Sequence, residues 1–246
     1  MSIRSDEEFE KLKAIGKIVR LSLDEMFAAV RSGITTQELD HIGLRMLKQH
    51  GAEAAPSKVY GFPGAVCISV NDEAVHGVPA GRTLREGDLV KLDLVAVKDG
   101  FFADAARTVR VGKVSETADS LVRCAEAAFW RAMNVARLGF RTCHIGREVE
   151  REVLDRGFNV IPELGGHGVG RTIHEHPSVP NFYDRRARTK LFNGLVIAVE
   201  PIISAGSGEC VLLPDRWTIR TADRSLSAHY EHTIVITKGK PVLLTA

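Results

Sequence analysis

The sequence of 246 residues is poor in cysteine and has no long apolar run. Its four cysteines lie far apart, so they predict neither a zinc finger nor a disulfide scaffold. No stretch approaches the roughly 18 apolar residues that a membrane span needs. The first residues turn acidic without the apolar segment of a secretory signal. We therefore expect a cytoplasmic protein without a membrane segment.

An excess of one charge is also missing, because 33 basic residues are nearly matched by 31 acidic ones. Sequence-specific nucleic-acid binding is therefore not indicated. The basic cluster at residues 184–190 is the exception, and we interpret it as a solvated loop; the alternative is contact with an anionic partner such as the ribosome surface. The glycine-rich segment 165–170 lacks the Gly-Lys-Ser/Thr ending of a phosphate loop.

Helices are predicted in pairs, one pair near the start of each half of the chain. Ser5 and Glu8 have the spacing of a capping box, and apolar residues follow at helical intervals to Phe27. A second helix follows Thr35 and ends near Gly51. In the second half, one helix is predicted from about residue 118 to 138 and the next to about residue 157.

Short motifs recur between the two halves at nearly constant separation. Residues 31–36 resemble residues 137–142, and residues 87–93 resemble residues 194–200. We infer a duplication within a single domain at residues 1–246, with halves at about 5–112 and 115–240. Because the predicted strands form hairpins, we expect an α+β fold in which two helix pairs flank a curved, mostly antiparallel sheet, not a doubly wound parallel sheet.

A hairpin places two acidic residues together. Asp99-Gly100 is a strong two-residue turn signal. Pairing Lys98 with Phe101 sets Asp93 opposite Ala106, and Asp104 becomes its diagonal neighbour on the same face. Asp93 lies in a strand too apolar to be exposed, and two buried like charges are costly without a cation. The pair therefore predicts a metal site.

Other candidates are weaker when each is taken alone. His167 is flanked by glycines, Glu200 ends an apolar run, and Glu231 precedes another. A salt bridge explains either glutamate as well as a metal bond does. On its own, His76 is best explained as an ordinary loop histidine with its hydrogen bonds satisfied.

Taken together, these residues form an ordered set of motifs that closely resembles type I methionine aminopeptidase. The motifs are Val75–Pro79, Leu92-Asp93, Ala103-Asp104, Gly166–Arg171, His174–Pro177, Val199–Pro201 and Ser227–Thr233. The resemblance covers about residues 5–240. It implies the pita-bread fold, whose two pseudo-symmetric halves agree with the internal repeat.

The resemblance also implies a dinuclear metal centre with five ligands: Asp93, Asp104, His167, Glu200 and Glu231. A single nitrogen ligand gives no decisive preference among Co, Mn, Fe and Zn. The implied reaction removes the initiator methionine from nascent polypeptides with a small second residue, through a metal-bridged hydroxide. Glu200 would transfer the proton, His174 would contact the scissile carbonyl oxygen, and His76 would contact the amide nitrogen side.

By the same resemblance, four residues would line the pocket for the methionine side chain: Phe62, Cys67, Ile173 and Trp217. Phenylalanine is usual in the family at the position of Ile173. Further departures surround the implied ligands, namely Lys91, Val95, Ala105, Ala106 and His176. Changes next to metal ligands commonly cost about 10–100-fold in metal affinity or activity.

Two other functions stay open. Relatives on the same fold cleave Xaa-Pro bonds, and these usually carry a sizeable preceding domain. A non-catalytic pita-bread module that binds ribosomes or RNA is the second alternative, although such modules typically lose metal ligands. The favoured partners are the N-terminus of a nascent polypeptide and, secondarily, the ribosome surface, and we expect a monomer.

Overall fold

The structure is a computed structural model that describes residues 1–246. Its five helices are α1 (Asp6–Ala29), α2 (Thr36–Gln49), α3 (Ala55–Tyr60), α4 (Glu116–Met133) and α5 (Thr142–Asp155). Its fourteen strands are β1 (Glu53–Ala54), β2 (Cys67–Val70), β3 (Glu73–Val75), β4 (Leu89–Lys98), β5 (Phe101–Arg110), β6 (Asn159–Val160), β7 (Gly165–Gly168), β8 (Glu175–Pro180), β9 (Val196–Val199), β10 (Ile202–Ser204), β11 (Cys210–Leu212), β12 (Ile219–Thr221), β13 (Ser227–Val235) and β14 (Val242–Leu243).

An 11-stranded antiparallel sheet forms the centre of the molecule. Its main path runs β1-β4-β5-β13-β9-β7-β8, and a separate three-stranded sheet runs β11-β12-β3. Strands of the first half therefore adjoin strands of the second half where β5 pairs with β13. The α+β pita-bread prediction is confirmed. None of the helices combines the length and apolar character needed to cross a membrane.

The helix pairs α1/α2 and α4/α5 cover one face of the sheet, and the predicted site residues lie on the other. Leu92 and Leu94 of β4 belong to an apolar core with α1 and α2, whereas Ile197 and Val199 of β9 belong to one with α4 and α5. Side chains alternate along a strand, so Asp93 faces away from these two helix pairs. This alternation therefore places the apolar residues on the face that packs against the helix pairs and the acidic residues on the opposite face.

The hairpin of β4 and β5 has the predicted register. Lys98 pairs with Phe101 and Asp93 with Ala106. The turn residues Asp99 and Gly100 have φ of 51° and 79°, as a type I′ turn requires. Asp104 pairs with Val95, so it is the diagonal neighbour of Asp93.

Local geometry repeats between the halves and supports the predicted duplication. Thr36 and Thr142 begin helices of 14 residues each. Their hydroxyls donate to the carbonyl oxygens of Ala80 and Ala187 at 2.9 and 3.1 Å. The division at about 5–112 and 115–240 remains a prediction.

Some local features of the structure differ from those predicted from the sequence. At α1, Ser5 accepts from the Glu8 backbone at 3.3 Å, but the Glu8 carboxylate accepts from the backbone of Arg4 and pairs with Arg171, so the capping box is incomplete. Helix α4 ends at Met133, not near residue 138, because tight turns follow it. His167, which glycines flank, lies in β7. Residues 184–190 do lie in a loop, between β8 and β9.

Candidate active site

Five predicted metal ligands converge on the polar face of the sheet. Ala106 pairs with Asp93 on one side and with Glu231 on the other. Its small side chain leaves space between the two carboxylates. Glu200 follows β9 directly, and His167 lies on β7, the next strand. The five side chains line one cavity of about 260 Å³.

Distances within the cluster are too long for direct hydrogen bonds but suit atoms that share a cation. Nε2 of His167 lies 3.4 Å from Oε1 of Glu200 and 3.8 Å from Oδ2 of Asp104. For tetrahedral ligands about 2.1 Å from a cation, the separation between ligand atoms is about 3.4 Å. The arrangement therefore fits a bound metal better than a hydrogen-bonded cluster.

The tautomer of His167 supports the same conclusion. Its Nδ1 lies 2.9 Å from the carbonyl oxygen of Gly168, which can only accept a hydrogen bond. In the neutral ring, Nε2 then carries a lone pair directed at carboxylate oxygens. Two further buried oxygens, Oδ1 of Asp104 and Oε1 of Glu231, have no hydrogen-bond donor. A bound cation would give the lone pairs of all these atoms a partner.

Burial strongly perturbs the carboxyl groups when no cation is present. Loss of solvation, together with neighbouring acids, raises the pKa of Asp104 and of Glu231 well above the usual range. Burial also raises the pKa of Asp93. For Glu200, burial raises the pKa, but the adjacent imidazoles of His229, His167 and His174 outweigh it, so the pKa is lowered. Positive charge is thus needed to keep all four acids ionised.

The predicted methionine pocket lines the same cavity. Phe62, Cys67, Ile173 and Trp217 all contribute to its wall. The rings of Phe62 and Trp217 meet edge to face, with centroids 5.3 Å apart. Polar ligands and an apolar recess therefore share one enclosure. This is the arrangement that recognition of an apolar side chain beside a hydrolysed bond requires.

Both predicted catalytic histidines line the cavity too. The ring centroid of His174 lies 4.3 Å from that of His167. Partial burial lowers the pKa of His174 to about 4, so the ring is neutral at neutral pH. Its Nδ1 lies 2.8 Å from the hydroxyl of Tyr60, a residue that sequence reasoning missed. With the tyrosine as donor, Nε2 of His174 carries the proton.

His229 is the second residue that sequence reasoning missed. It is 1% exposed, and neither ring nitrogen has a hydrogen-bond partner. Its Nε2 lies 3.5 Å from Oε2 of Glu200 and 3.5 Å from Oε2 of Glu231. The sequence spacing could have identified His229 as a site residue, because His229 and Glu231 are two residues apart on one strand and therefore share a face.

The departures from the family pattern lie close to the ligands. Val95 lines the cavity, and Ala106 lies between two of the acids. Ala105 faces the helices, in the apolar core with α1. Lys91 is buried on the face that carries Asp93, whereas His176 is exposed on β8.

Comparison with known proteins agrees with this geometry. The sequence profile described as metallopeptidase family M24 matches residues 10–238. Methionine aminopeptidase 2 of Bacillus subtilis is 44% identical, covering 100% of this chain and 99% of the relative. The crystal structure of methionine aminopeptidase from Thermotoga maritima has a TM-score of 0.96 at 36% identity, covering 100% of this chain and 99% of that one.

Longer proteins share the fold. The prolidase from Pyrococcus furiosus has a TM-score of 0.81 at 23% identity. The match covers 99% of this chain but 65% of the prolidase. At that identity the similarity shows the fold alone.

Proposed function

The chain belongs to metallopeptidase family M24, and we propose that it hydrolyses the bond after an N-terminal methionine when the second residue is small. The observation that carries this proposal is that three buried carboxylates, the half-buried Asp93 and His167 share one cavity with an apolar recess. A binding module would have no reason to bury unpaired acids beside such a recess.

Divalent metal binding follows from the family and the donor set, and we propose that the site holds two ions. Four ionised carboxylates carry four negative charges, which two divalent cations balance. Asp93, Asp104, His167, Glu200 and Glu231 would hold the ions. The mixed set suits Co, Mn, Fe or Zn. Such ions polarise a peptide carbonyl and lower the pKa of water.

The protein's own residues supply proton transfer and orientation. Glu200 has a lowered pKa and is the acid best able to stay ionised, so it accepts a proton and returns it to the leaving amine. Nε2 of His174 donates to the scissile carbonyl oxygen. One well-placed donor of this kind is commonly worth about 2.7–4 kcal/mol in the transition state. His76 contacts the amide nitrogen side.

Substrate selection rests on the apolar recess. Phe62 and Trp217 offer ring edges, and Cys67 offers a soft thiol, all suited to a polarisable thioether. Ile173 is shorter than phenylalanine and branched, so it widens this part of the wall. The substrate is the N-terminus of a nascent polypeptide. We further propose that the chain acts as a monomer and that residues 184–190 contact the ribosome surface.

An activity panel tests the function. Purified protein loaded with Co, Mn, Fe or Zn is given Met-Ala-Ser, Met-Lys-Ser and Leu-Ala-Ser, with a Xaa-Pro dipeptide as the competing substrate. We expect methionine release from Met-Ala-Ser alone, at a rate that depends on the metal. Faster cleavage of the Xaa-Pro dipeptide would assign the chain to the prolidase-like activity.

Glu200→Gln tests the role of Glu200, which would both bind metal and transfer the proton. The amide keeps the size of the side chain but cannot accept the proton, so turnover should fall by about 10²–10⁴-fold. His41→Gln, on the exposed surface of α2, is the matched control and should leave the rate unchanged. A Glu200→Gln variant as active as the parent would contradict the assigned role.

A further inference from the structure

Lys91 is the largest fully buried polar side chain of the protein, with 1% of its surface exposed. It lies on β4 two residues before Asp93, so both side chains leave the same face of the sheet. Lysine is almost never fully buried without a partner that accepts its protons. The surroundings of its Nζ therefore need a physical explanation.

Three oxygen atoms surround that nitrogen, and none is a carboxylate. Nζ lies 2.6 Å from the carbonyl oxygen of Asn71, 3.2 Å from the carbonyl oxygen of Ser227 and 3.1 Å from its Oγ. The Ser227 hydroxyl directs its own proton to the carbonyl oxygens of Asn71 and Glu73. All three atoms around Nζ therefore accept.

Three acceptors match the three protons of an ammonium group. Burial is the largest influence on Lys91 and lowers its pKa to about 7, against the opposing attraction of Glu73 and Asp72. Contacts with oxygens that only accept favour the charged form and oppose that effect. The three acceptors thus hold the side-chain nitrogen of Lys91 in place inside the sheet.

The acceptors belong to segments that lead directly to the active site. Asn71, with φ of 57°, begins the turn between β2 and β3, and His76 follows β3. Ser227 is the first residue of β13, which carries Glu231 four residues later. The Ser227 backbone also donates to the Asn71 carbonyl at 3.1 Å. One ammonium group therefore connects three segments that carry site residues.

We propose that Lys91 is a positioning residue whose ammonium group clamps the Asn71 turn to the start of β13, holding His76, Asp93 and Glu231 at their mutual spacing. The proposal rests on the proposed function for its catalytic consequence. The clamp itself is a property of the fold.

Lys91→Met tests the clamp, with Lys98→Met as the matched control. Lys98 is on the same strand, and its Nζ donates to one backbone carbonyl, that of His50, at 2.6 Å. In Lys91→Met, amide hydrogen exchange of residues 71–76 should accelerate by about tenfold. Metal affinity should fall by about tenfold, with kcat falling similarly and KM nearly constant. Lys98→Met should change none of these quantities.

Chemical rescue distinguishes a tethered cation from mere packing. Lys91→Ala leaves a cavity that can hold ethylammonium, which should restore kcat and the protection of residues 71–76. Tetramethylammonium at the same concentration cannot donate hydrogen bonds and should restore neither. If Lys91→Ala does not fold, Lys91→Met still provides the exchange measurement.

Two results would overturn the proposal. One is a folded Lys91→Met variant with parental exchange at residues 71–76 and parental metal affinity. The other is a folded Lys91→Ala variant that ethylammonium does not rescue. Since hydrogen exchange and metal binding need no turnover, they test the clamp even if the parent protein fails to cleave Met-Ala-Ser.

Discussion

At the scale of single residues, His229 has the least ordinary environment. A buried imidazole usually has at least one hydrogen-bonded nitrogen, yet both nitrogens of His229 lack a partner. Its Nε2 is equally distant from Glu200 and Glu231, so it can bind a cation or hold the carboxylates that do. The site therefore includes a sixth side chain that the five-ligand set omits.

His229→Gln should weaken metal binding by about 10–100-fold while leaving the secondary structure intact. The glutamine keeps a polar group on β13 but does not reproduce the position of Nε2 between two carboxylates. Calorimetric titration with Co or Mn measures the change, with His41→Gln as control. Unchanged affinity in His229→Gln would mean that the imidazole takes no part in the site.

At the scale of secondary structure elements, β7 depends on close backbone approach. Gly166 pairs with Val179 of β8, and an added Cβ there would overlap the carbonyl oxygen of Ala198 on β9. Only glycine lets β7 pack so near β9. This approach brings His167 beside Glu200, so a residue without a side chain determines a distance between two ligands.

Gly166→Ala should displace β7 and separate His167 from Glu200. We expect a loss of about 1–3 kcal/mol in the free energy of unfolding, as for other overpacked sites. Metal affinity should fall as well. Gly81→Ala, where an added Cβ meets nothing within 4 Å, is the control. Denaturant unfolding and metal titration of both variants give the comparison; a Gly166→Ala variant indistinguishable from Gly81→Ala would contradict the packing argument.

At the scale of the whole molecule, the fold keeps four acids together that would repel one another in the absence of cations. The raised pKa of Asp104 and Glu231 means that these groups bind protons more tightly in the folded state than in the unfolded state. Their stabilising contribution is therefore present below the usual carboxyl range. It is lost as the pH rises through the raised folded pKa values.

The metal-free protein should consequently become less stable as the pH rises above the usual carboxyl range, by about 1.4 kcal/mol for each unit by which a folded pKa is raised. Added metal should stabilise it more at pH 8 than at pH 5, because metal and protons compete for the same oxygens. Thermal unfolding with and without chelator measures both effects. Asp104→Asn should flatten the pH dependence; a metal-free parent whose stability rises with pH would refute the argument.

The sequence by itself determined the features that depend on neighbours along the chain. The Asp99-Gly100 turn and strict alternation in β4 and β5 specify which pairs oppose each other, so the relation of Asp93 to Asp104 was predictable. Helix pairs followed from apolar spacing, although α4 ended earlier than its composition suggested. The motif order pointed to the metallopeptidase family.

Only the tertiary structure decided the contacts between segments far apart in the chain. The hydroxyl of Tyr60 reaches His174, and Nζ of Lys91 reaches Ser227. Such contacts depend on how β13 inserts between β5 and β9 and on how closely β7 approaches β9. Local turn chemistry and periodicity carry no information about those distances, because they arise when the two halves pack together.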